Sequence, residues 1–415
     1  MATTISSSNS DVGTNHQYLG FIIGQKKHFN FVVVDSVTSE LISNAFVEGD
    51  EVKEFVEDIS HIFNQKFKAV FLNVGEYQSE VYPKSYDFCK ELKAALNLCN
   101  IPNHFFTHLQ WCLSGLLISS GYIPTIDQYV LFVTQFGDEA NVICYKYTQN
   151  GYANVATKDV DISESRDDEN ICADILQLCP NPSISIIKAN AATMKRFKKL
   201  LKNLKIFSVP QDFSIVDPKY ITEHSKWFFD RSFSNFHVLP VPSSMVKLFV
   251  QDGSQEFSFI VISNHAQLPV SHSRTVQKIV NYCCVSMNKE IILEKCLPDQ
   301  KAHQHNVTLS IDEEGFVDYK VEAILLPHVH ILQYKLTTNL KSGIPVITFI
   351  ENLSFICIKK DGKTDYEYLE SWNGKFGMDL YISFDEEKPK YCQDALEVAR
   401  TEPTFSVFGM LFCIL

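Results

Sequence analysis

Six cationic side chains crowd one short stretch: Lys195, Arg196, Lys198, Lys199, Lys202 and Lys205. Cations at this density neutralise phosphates or carboxylates, which makes the stretch a candidate contact for ribosomal RNA or an acidic partner. The same cations interleave with Met194, Phe197, Leu200 and Leu201 at helical spacing, as on the solvated face of an amphipathic helix. Two His-x-His pairs, His303/His305 and His328/His330, fall on segments that read as strands. Strand alternation would put each pair on one face, as zinc requires. No cysteine or carboxylate framework accompanies them, so no metal site is expected. A hydrolase triad on an α/β sheet needs a nucleophile elbow, and no Gly-x-Ser-x-Gly occurs. The 12 cysteines are scattered, lack any Cys-x-x-Cys pair and often sit in apolar runs. They read as buried reduced thiols of a cytoplasmic protein rather than a disulfide framework.

The elements that must position these groups follow from apolar periodicity. The chain has 415 residues, 45% hydrophobic and 12% aromatic, with a net charge of -12. That length and composition support a sizeable core in two or three domains, and the acidic balance disfavours general nucleic-acid binding. Residues 1–17 are Ser-, Thr- and Asn-rich and read as a disordered tail without the apolar core of a signal peptide. No apolar stretch reaches membrane-spanning length. Leu19–Ile23 and Phe29–Val34 read as a hairpin, Val52–Phe67 as one helix, Ala69–Val74 as a buried strand, and Tyr86–Leu98 and Leu113–Ser120 as helices. Tyr129–Val133 and Asn141–Tyr147 form a second hairpin continued by Ala153–Ala156. A helix over 162–177, a strand at Ser183–Ile187, and helices at Met194–Leu204 and Asp217–Asp230 follow. After Phe236 strands dominate to the end, with turns at Asp312-Glu313-Glu314-Gly315 and Lys360-Asp361-Gly362-Lys363. The division is an α/β part to residue 235, a β part over 236–325 and a β-rich extension over 326–415.

The order hairpin, helix, strand, helix, helix, given twice, is that of the actin-like ATPases. The local sequences are similar to those of the heat-shock protein 70 (DnaK-type) chaperones. Ile22-Ile23-Gly24-Gln25-Lys26 resembles the family's first phosphate hairpin, D-L-G-T-T, and Gln135-Phe136-Gly137-Asp138-Glu139-Ala140 its second, D-L-G-G-G-T. Ser185-Ile186-Ile187-Lys188-Ala189-Asn190-Ala191-Ala192-Thr193 resembles the adenosine motif V-L-V-G-G-S-T-R. Val216-Asp217-Pro218 resembles I-N-P-D-E. His237-Val238-Leu239-Pro240-Val241-Pro242 stands where the interdomain linker lies, and Leu268-Pro269-Val270 and Ile311–Val317 resemble turns of the peptide-binding β-sandwich. The resemblance covers residues 18–325. It implies a reduced actin-like ATPase fold followed by a β-sandwich similar to the chaperone peptide-binding domain.

ATP hydrolysis needs a cradle of backbone N–H groups, carboxylates for Mg²⁺ and a group that orients water. By the resemblance, Ile22 replaces the first carboxylate and Gln25 and Lys26 the two threonines, while Gly24 survives. Gln135 replaces the second aspartate, and Asp138 and Glu139 fill glycine positions beside Gly137. Ala189 and Asn190 replace both adenosine-motif glycines. The family's acidic N-E-P segment maps near Thr107–Leu113, which holds no carboxylate. The upper lobes that wall the family's nucleotide cleft have no room between Val47 and Phe55 or between Tyr147 and Ser183. Lys26 and Lys27 read as solvated turn lysines. The expectation is a pseudo-ATPase without cofactor, acting as scaffold, co-chaperone or protein-binding module. The alternative is an ATP- and Mg-dependent chaperone. Phe257, Phe259, Val261 and Leu268 are candidates to line a groove for client peptides. The chain from His328 onward is expected to fill that groove, because Pro345–Ile350 and Ser354–Lys359 are too apolar to face water.

Overall fold

The computed structural model describes residues 17–25, 28–64, 66–179, 181–210, 213–252, 255–277, 282–296, 301–340 and 343–408. Lys26, Lys27, nearly all of the expected tail and the apolar residues after 408 lie outside the described residues.

The first half is one topological unit used twice. Strands β1 (Tyr18–Gln25), β2 (His28–Asp35) and β3 (Leu41–Glu48) form an antiparallel meander. Helices α1 (Val52–Glu57) and α2 (Ile59–Ile62) follow, then β4 (Phe67–Asn73), α3 (Ser85–Leu98), β5 (Asn103–Phe105) and α4 (His108–Ser120). The sheet order is β3-β2-β1-β4-β5, with β1, β4 and β5 parallel. The second unit repeats it with β6 (Tyr129–Phe136), β7 (Glu139–Thr148), β8 (Gly151–Asp161), α5 (Asp168–Leu178), β9 (Ile184–Lys188), α6 (Ala191–Leu200), β10 (Ile206–Ser208) and α7 (Pro218–Phe229). Its order is β10-β9-β6-β7-β8, the same pattern of neighbours and directions. This duplication is the actin-like ATPase fold. Three expected features change. The single helix over Val52–Phe67 breaks at Asp58 into two short pieces. The stretch from 162 becomes helical only at Asp168, where Asp167 accepts hydrogen bonds from the backbone N–H groups of Glu169 and Asn170. The third meander strand β3 and the edge strands β5 and β10 are additions. β3 is largely exposed and the other two have three residues each, so neither alternation nor length marks them.

Helices α4 and α7 lie between the two sheets. Trp111, Ile221 and Trp227 pack on Phe21, Val32 and Phe71 of the first sheet. Leu113, Leu116 and Leu117 pack on Phe132, Ile143 and Ile186 of the second. A helix buried on both sides carries apolar residues round most of its circumference, as Trp111, Leu113, Leu116, Leu117 and Ile118 do on α4. Helices α1–α3 cover the outer face of the first sheet, and α5 and α6 that of the second.

The expected linker is pinned by an isolated parallel β-bridge between Val238 and Tyr152. The backbone N–H of Tyr152 donates to His237 O (2.8 Å) and that of Leu239 to Tyr152 O (2.9 Å), and Val238 is fully buried. It leads into β11 (Val246–Asp252), β12 (Gln255–Ile262), β13 (Val270–Gln277), β14 (Tyr282–Met287), β15 (Glu290–Cys296), β16 (Gln304–Ile311) and β17 (Val317–Ile324). These make two antiparallel sheets, β12-β11-β14-β15 and β13-β16-β17, whose apolar faces share one core including Leu248, Ile260, Val285, Val307 and Leu309.

The C-terminal part is mixed, where a β-rich extension was expected. Helix α8 (Pro327–Asn339) starts on Pro327, a favoured first-turn residue. Its Val329, Leu332 and Leu336 pack on a small sheet of β18 (Val346–Ile350), β19 (Leu353–Lys359), β20 (Tyr366–Tyr368) and β21 (Met378–Asp379). β22 (Tyr381–Ser383), β23 (Lys390–Tyr391), α9 (Cys392–Thr401) and β24 (Ser406–Phe408) complete the described chain. His328 and His330 therefore sit on a helix, where residues two apart do not share a face. The strand argument for paired imidazoles fails there, and among the described residues no group of three or more metal-ligating side chains occurs.

Candidate functional site

In an open α/β sheet, ligands bind beyond the carboxyl ends of the parallel strands. In the first sheet those ends are Asn73 of β4 and Phe105 of β5, beside the first turn of α4. Thr107 caps that helix, its Oγ1 accepting from Gln110 N at 3.2 Å. A cleft opens there, bounded by Asn73, Glu76, Phe105 and His108 on the α/β side and by Met287 and Phe316 on the β side. Its free room is about 70 Å³, roughly half of the ~150 Å³ cavity that accommodates one benzene. It is narrow because the β16–β17 turn is driven into the α/β part.

That turn, Asp312–Phe316, carries the docking contact. Glu314 is held by three donors: the Lys93 ammonium, His104 Nδ1 (3.3 Å) and the Phe105 backbone N–H (3.1 Å). Burial alone would raise its carboxyl, but the hydrogen bonds and charges of His104 and Lys93 outweigh it and bring the pKa down to about 2. Phe316 follows, edge-on to Phe105 (5.0 Å between centroids) with the Lys93 ammonium over its ring at 4.2 Å. Tyr86 of α3 donates to Val317 O at 2.8 Å and accepts from Val317 N at 3.2 Å. Lys84 donates to Ile291 O at 2.7 Å. Glu314, Phe316, Tyr86 and Lys84 thus fasten the β part to the α/β part.

The positions matched to the phosphate hairpins and adenosine motif are filled by the chain itself. Gly24 is tight because a Cβ there would lie 2.9 Å from Cβ of Tyr77 and 3.3 Å from Val74. Tyr77 is fully buried, edge-on to Phe29 and 4.6 Å from Phe88. The surviving glycine therefore accommodates an aromatic ring of the same chain. Ile22 lies in the core. Gln25 pairs with His28 at the end of β1, and Lys26 lies outside the described residues. In the second unit Gly137 takes a left-handed turn conformation (φ 61°), and Asp138 O accepts from Ile162 N at 2.8 Å. Gln135 bridges the motifs: its amide Nε2 donates to Gly137 O (3.0 Å) and its Oε1 accepts from Asn190 N (2.9 Å). Asn190, directly after Ala189, caps α6, its Oδ1 accepting from Thr193 N at 2.9 Å. The helix N-terminus that an anion would use is thus already bonded. The fold brings Gln135, Gly137 and Asn190 together.

The remaining candidates separate. Phe257 and Val261 are 49% and 50% exposed, Phe259 is partly buried and Leu268 lies in the core, so the four do not line one groove. In the segment from His328, β18 and β19 pair with each other and pack on α8, and Phe257 and Val261 stay half-exposed. In the basic stretch Arg196 is a structural brace, donating to Asp168 Oδ1 (2.7 Å), Ile162 O (2.6 Å) and Arg166 O (2.8 Å). Lys195, Lys198 and Lys199 stay exposed. His303 links the β part to the C-terminal part through Leu326 N (2.8 Å) and Lys375 O (2.8 Å).

Three groupings have no counterpart in the sequence reading. Cys112 stands 3.4 Å from His108 Nε2 on α4, but burial pushes its thiol up to about 11, so it is not a thiolate nucleophile at neutral pH. His104, His224 and His237 are buried among Trp111 and Trp227, with His224 stacked on Trp111 (4.0 Å) and His237 on Trp227 (3.6 Å). Burial forces His224 down to about 3 and His237 well below its ordinary value, so both are neutral. Cys144 and Cys179 meet in the core of the second unit. The histidine and Cys144–Cys179 groupings join residues far apart in sequence, whereas His108 and Cys112 are four apart on one helix, a spacing the sequence does show.

No protein-family profile and no curated protein matches the chain. Among solved structures it is similar to a glucokinase from an Antarctic psychrotroph (TM-score 0.30, 8% identity, 50% of this chain and 99% of that one). It is also similar to YeaZ from Pseudomonas aeruginosa (TM-score 0.28, 7% identity, 51% and 92%) and to a Ppx/GppA family member from Aquifex aeolicus (TM-score 0.25, 10% identity, 53% and 91%). Likenesses this loose say nothing about activity. The actin-like assignment of the first half rests on the duplicated strand order and direction.

Proposed function

We propose that this chain is a non-catalytic, actin-fold scaffold of the chaperone type, a pseudo-ATPase whose β part is a protein-binding module. The observation that carries the reading is that own-chain groups fill the positions which the resemblance assigns to nucleotide: Tyr77 against Gly24, Gln135 across the second hairpin, and Asn190 capping α6. A phosphate would have to displace these groups without gaining a carboxylate-held cation. The β part docks on the α/β part through Glu314, held by His104 and the Phe105 backbone N–H. On this reading no nucleotide-driven difference between two states gates ligand exchange. Protein partners or client peptides would meet the edge strand β12, where Phe257 and Val261 face solvent. A cytoplasmic location belongs to the same reading, and no helix among the described residues is long and apolar enough to cross a membrane.

The test is calorimetric titration of the full chain with Mg-ATP. No saturable heat is expected up to millimolar nucleotide, and a micromolar Kd would overturn the proposal. A fluorescent apolar heptapeptide should bind weakly and equally with and without ATP. Tight binding released by ATP would instead support the ATP-dependent chaperone.

A further inference from the structure

We propose that Cys144 and Cys179 are an oxidisable dithiol that closes to an intramolecular disulfide within the second α/β unit. Cys144 lies in the middle of β7, and Cys179 follows the last turn of α5, which packs over that strand. Their sulfurs are 2.7 Å apart across a sequence separation of 35 residues. Ordinary non-bonded heavy atoms stand about 3.5–4.0 Å apart, and a disulfide measures about 2.05 Å. The pair is therefore well inside contact distance and needs little motion to bond. A shared metal does not explain the approach. Two thiolates on one tetrahedral zinc, with Zn–S about 2.3 Å, stand about 3.8 Å apart.

The two thiols are not equivalent. The hydrogen bond shared by the two thiols lowers the pKa of Cys144, while that same bond and burial raise that of Cys179. Hydrogen peroxide is small enough to reach the pair during local opening, and the reaction balances with it alone. The Cys144 sulfur attacks one peroxide oxygen, the O–O bond breaks, and hydroxide leaves with a proton as water. Cys144 is then a sulfenic acid. The Cys179 sulfur attacks that sulfur, the S–O bond breaks, and a second water leaves with the thiol proton. Two thiols lose two electrons in total, and one peroxide becomes two waters. The product ties the C-terminal end of α5 to β7.

The experiment treats the native full chain with millimolar peroxide, quenches it, and alkylates every remaining thiol with N-ethylmaleimide in denaturant. Mass spectrometry of the unreduced digest then reads each cysteine. Cys144 and Cys179 should lose label together and appear in one cross-linked peptide, with both labels returning after dithiothreitol. The equally buried Cys89 and Cys357 should keep theirs. In a Cys179→Ser variant, dimedone should trap sulfenic acid at Cys144. If both residues retain label, if all buried thiols lose label at one rate, or if Cys144 pairs with Cys172, the proposal is wrong. The wild-type readout decides the matter even if the variant does not fold, and it is independent of nucleotide binding.

Discussion

Replacing Glu314 by glutamine keeps the shape of the docking turn and an acceptor for the Phe105 N–H, but removes the charge. The magnitude follows from how strongly the site prefers the carboxylate. Its pKa falls from an ordinary 4.5 to about 2 in the folded chain, which at about 1.36 kcal/mol per unit is about 3 kcal/mol. Lys93 and the buried His104 would be left facing a neutral amide, the situation in which breaking a buried pair costs about 3–5 kcal/mol. Glu314→Gln should therefore lower stability at pH 7 by about 3 kcal/mol. Urea unfolding followed by tryptophan fluorescence reports it, since His104 lies 5.2 Å from the Trp227 ring. The pH dependence has a definite sign. A depressed carboxyl pKa contributes stability that is present above 4.5 and lost as pH falls toward 2. The wild type should lose stability across that window, and the variant should start lower and fall less. A variant within about 1 kcal/mol of wild type at pH 7, with the same acid limb, would refute the claim that this carboxylate fastens the β part.

Three further outcomes are expected. His224, at about 3 in the fold against 6.5 unfolded, contributes stability that is lost as pH falls below 6.5. At pH 5 the loss is about 2 kcal/mol, and His224→Phe should flatten that part of the profile in denaturant titrations. Gly24→Ala should cost about 1–3 kcal/mol in the urea midpoint because its Cβ would press on Tyr77, and an unchanged midpoint would contradict the packing. Arg196→Ala should cost about 2–3 kcal/mol through lost charge-assisted bonds, while Lys199→Ala, 82% exposed, should stay within about 0.5 kcal/mol. The reverse order in thermal unfolding would refute the brace.

Several parts of the fold were readable from the residues because their signals are local. The hairpins at Tyr18–Asp35 and Tyr129–Tyr147, the buried strands near Ala69 and Ile184, and Pro218 in the first turn of α7 each carry period, punctuation or cap within a dozen residues. The order of those elements, together with the altered residues at Ile22, Gln135 and Asn190, sufficed to expect a degenerate actin-like half. Three-residue β5 and β10 carry no period at all, and α8 was mistaken for strand because His-Val-His-Ile alternates over its first turn. Nothing in Asp312-Glu313-Glu314-Gly315 says which carboxylate is buried. That choice is made by Lys93, His104 and Phe105, about 210–220 residues earlier, once the β part has docked. The contact of Cys144 with Cys179 and the stacking of His224 and His237 on tryptophans are likewise products of helices packing on sheets. Local composition determined which elements form. Only tertiary packing decided which carboxylate, thiols and imidazoles are buried together, because burial and pairing depend on neighbours that the linear order keeps apart.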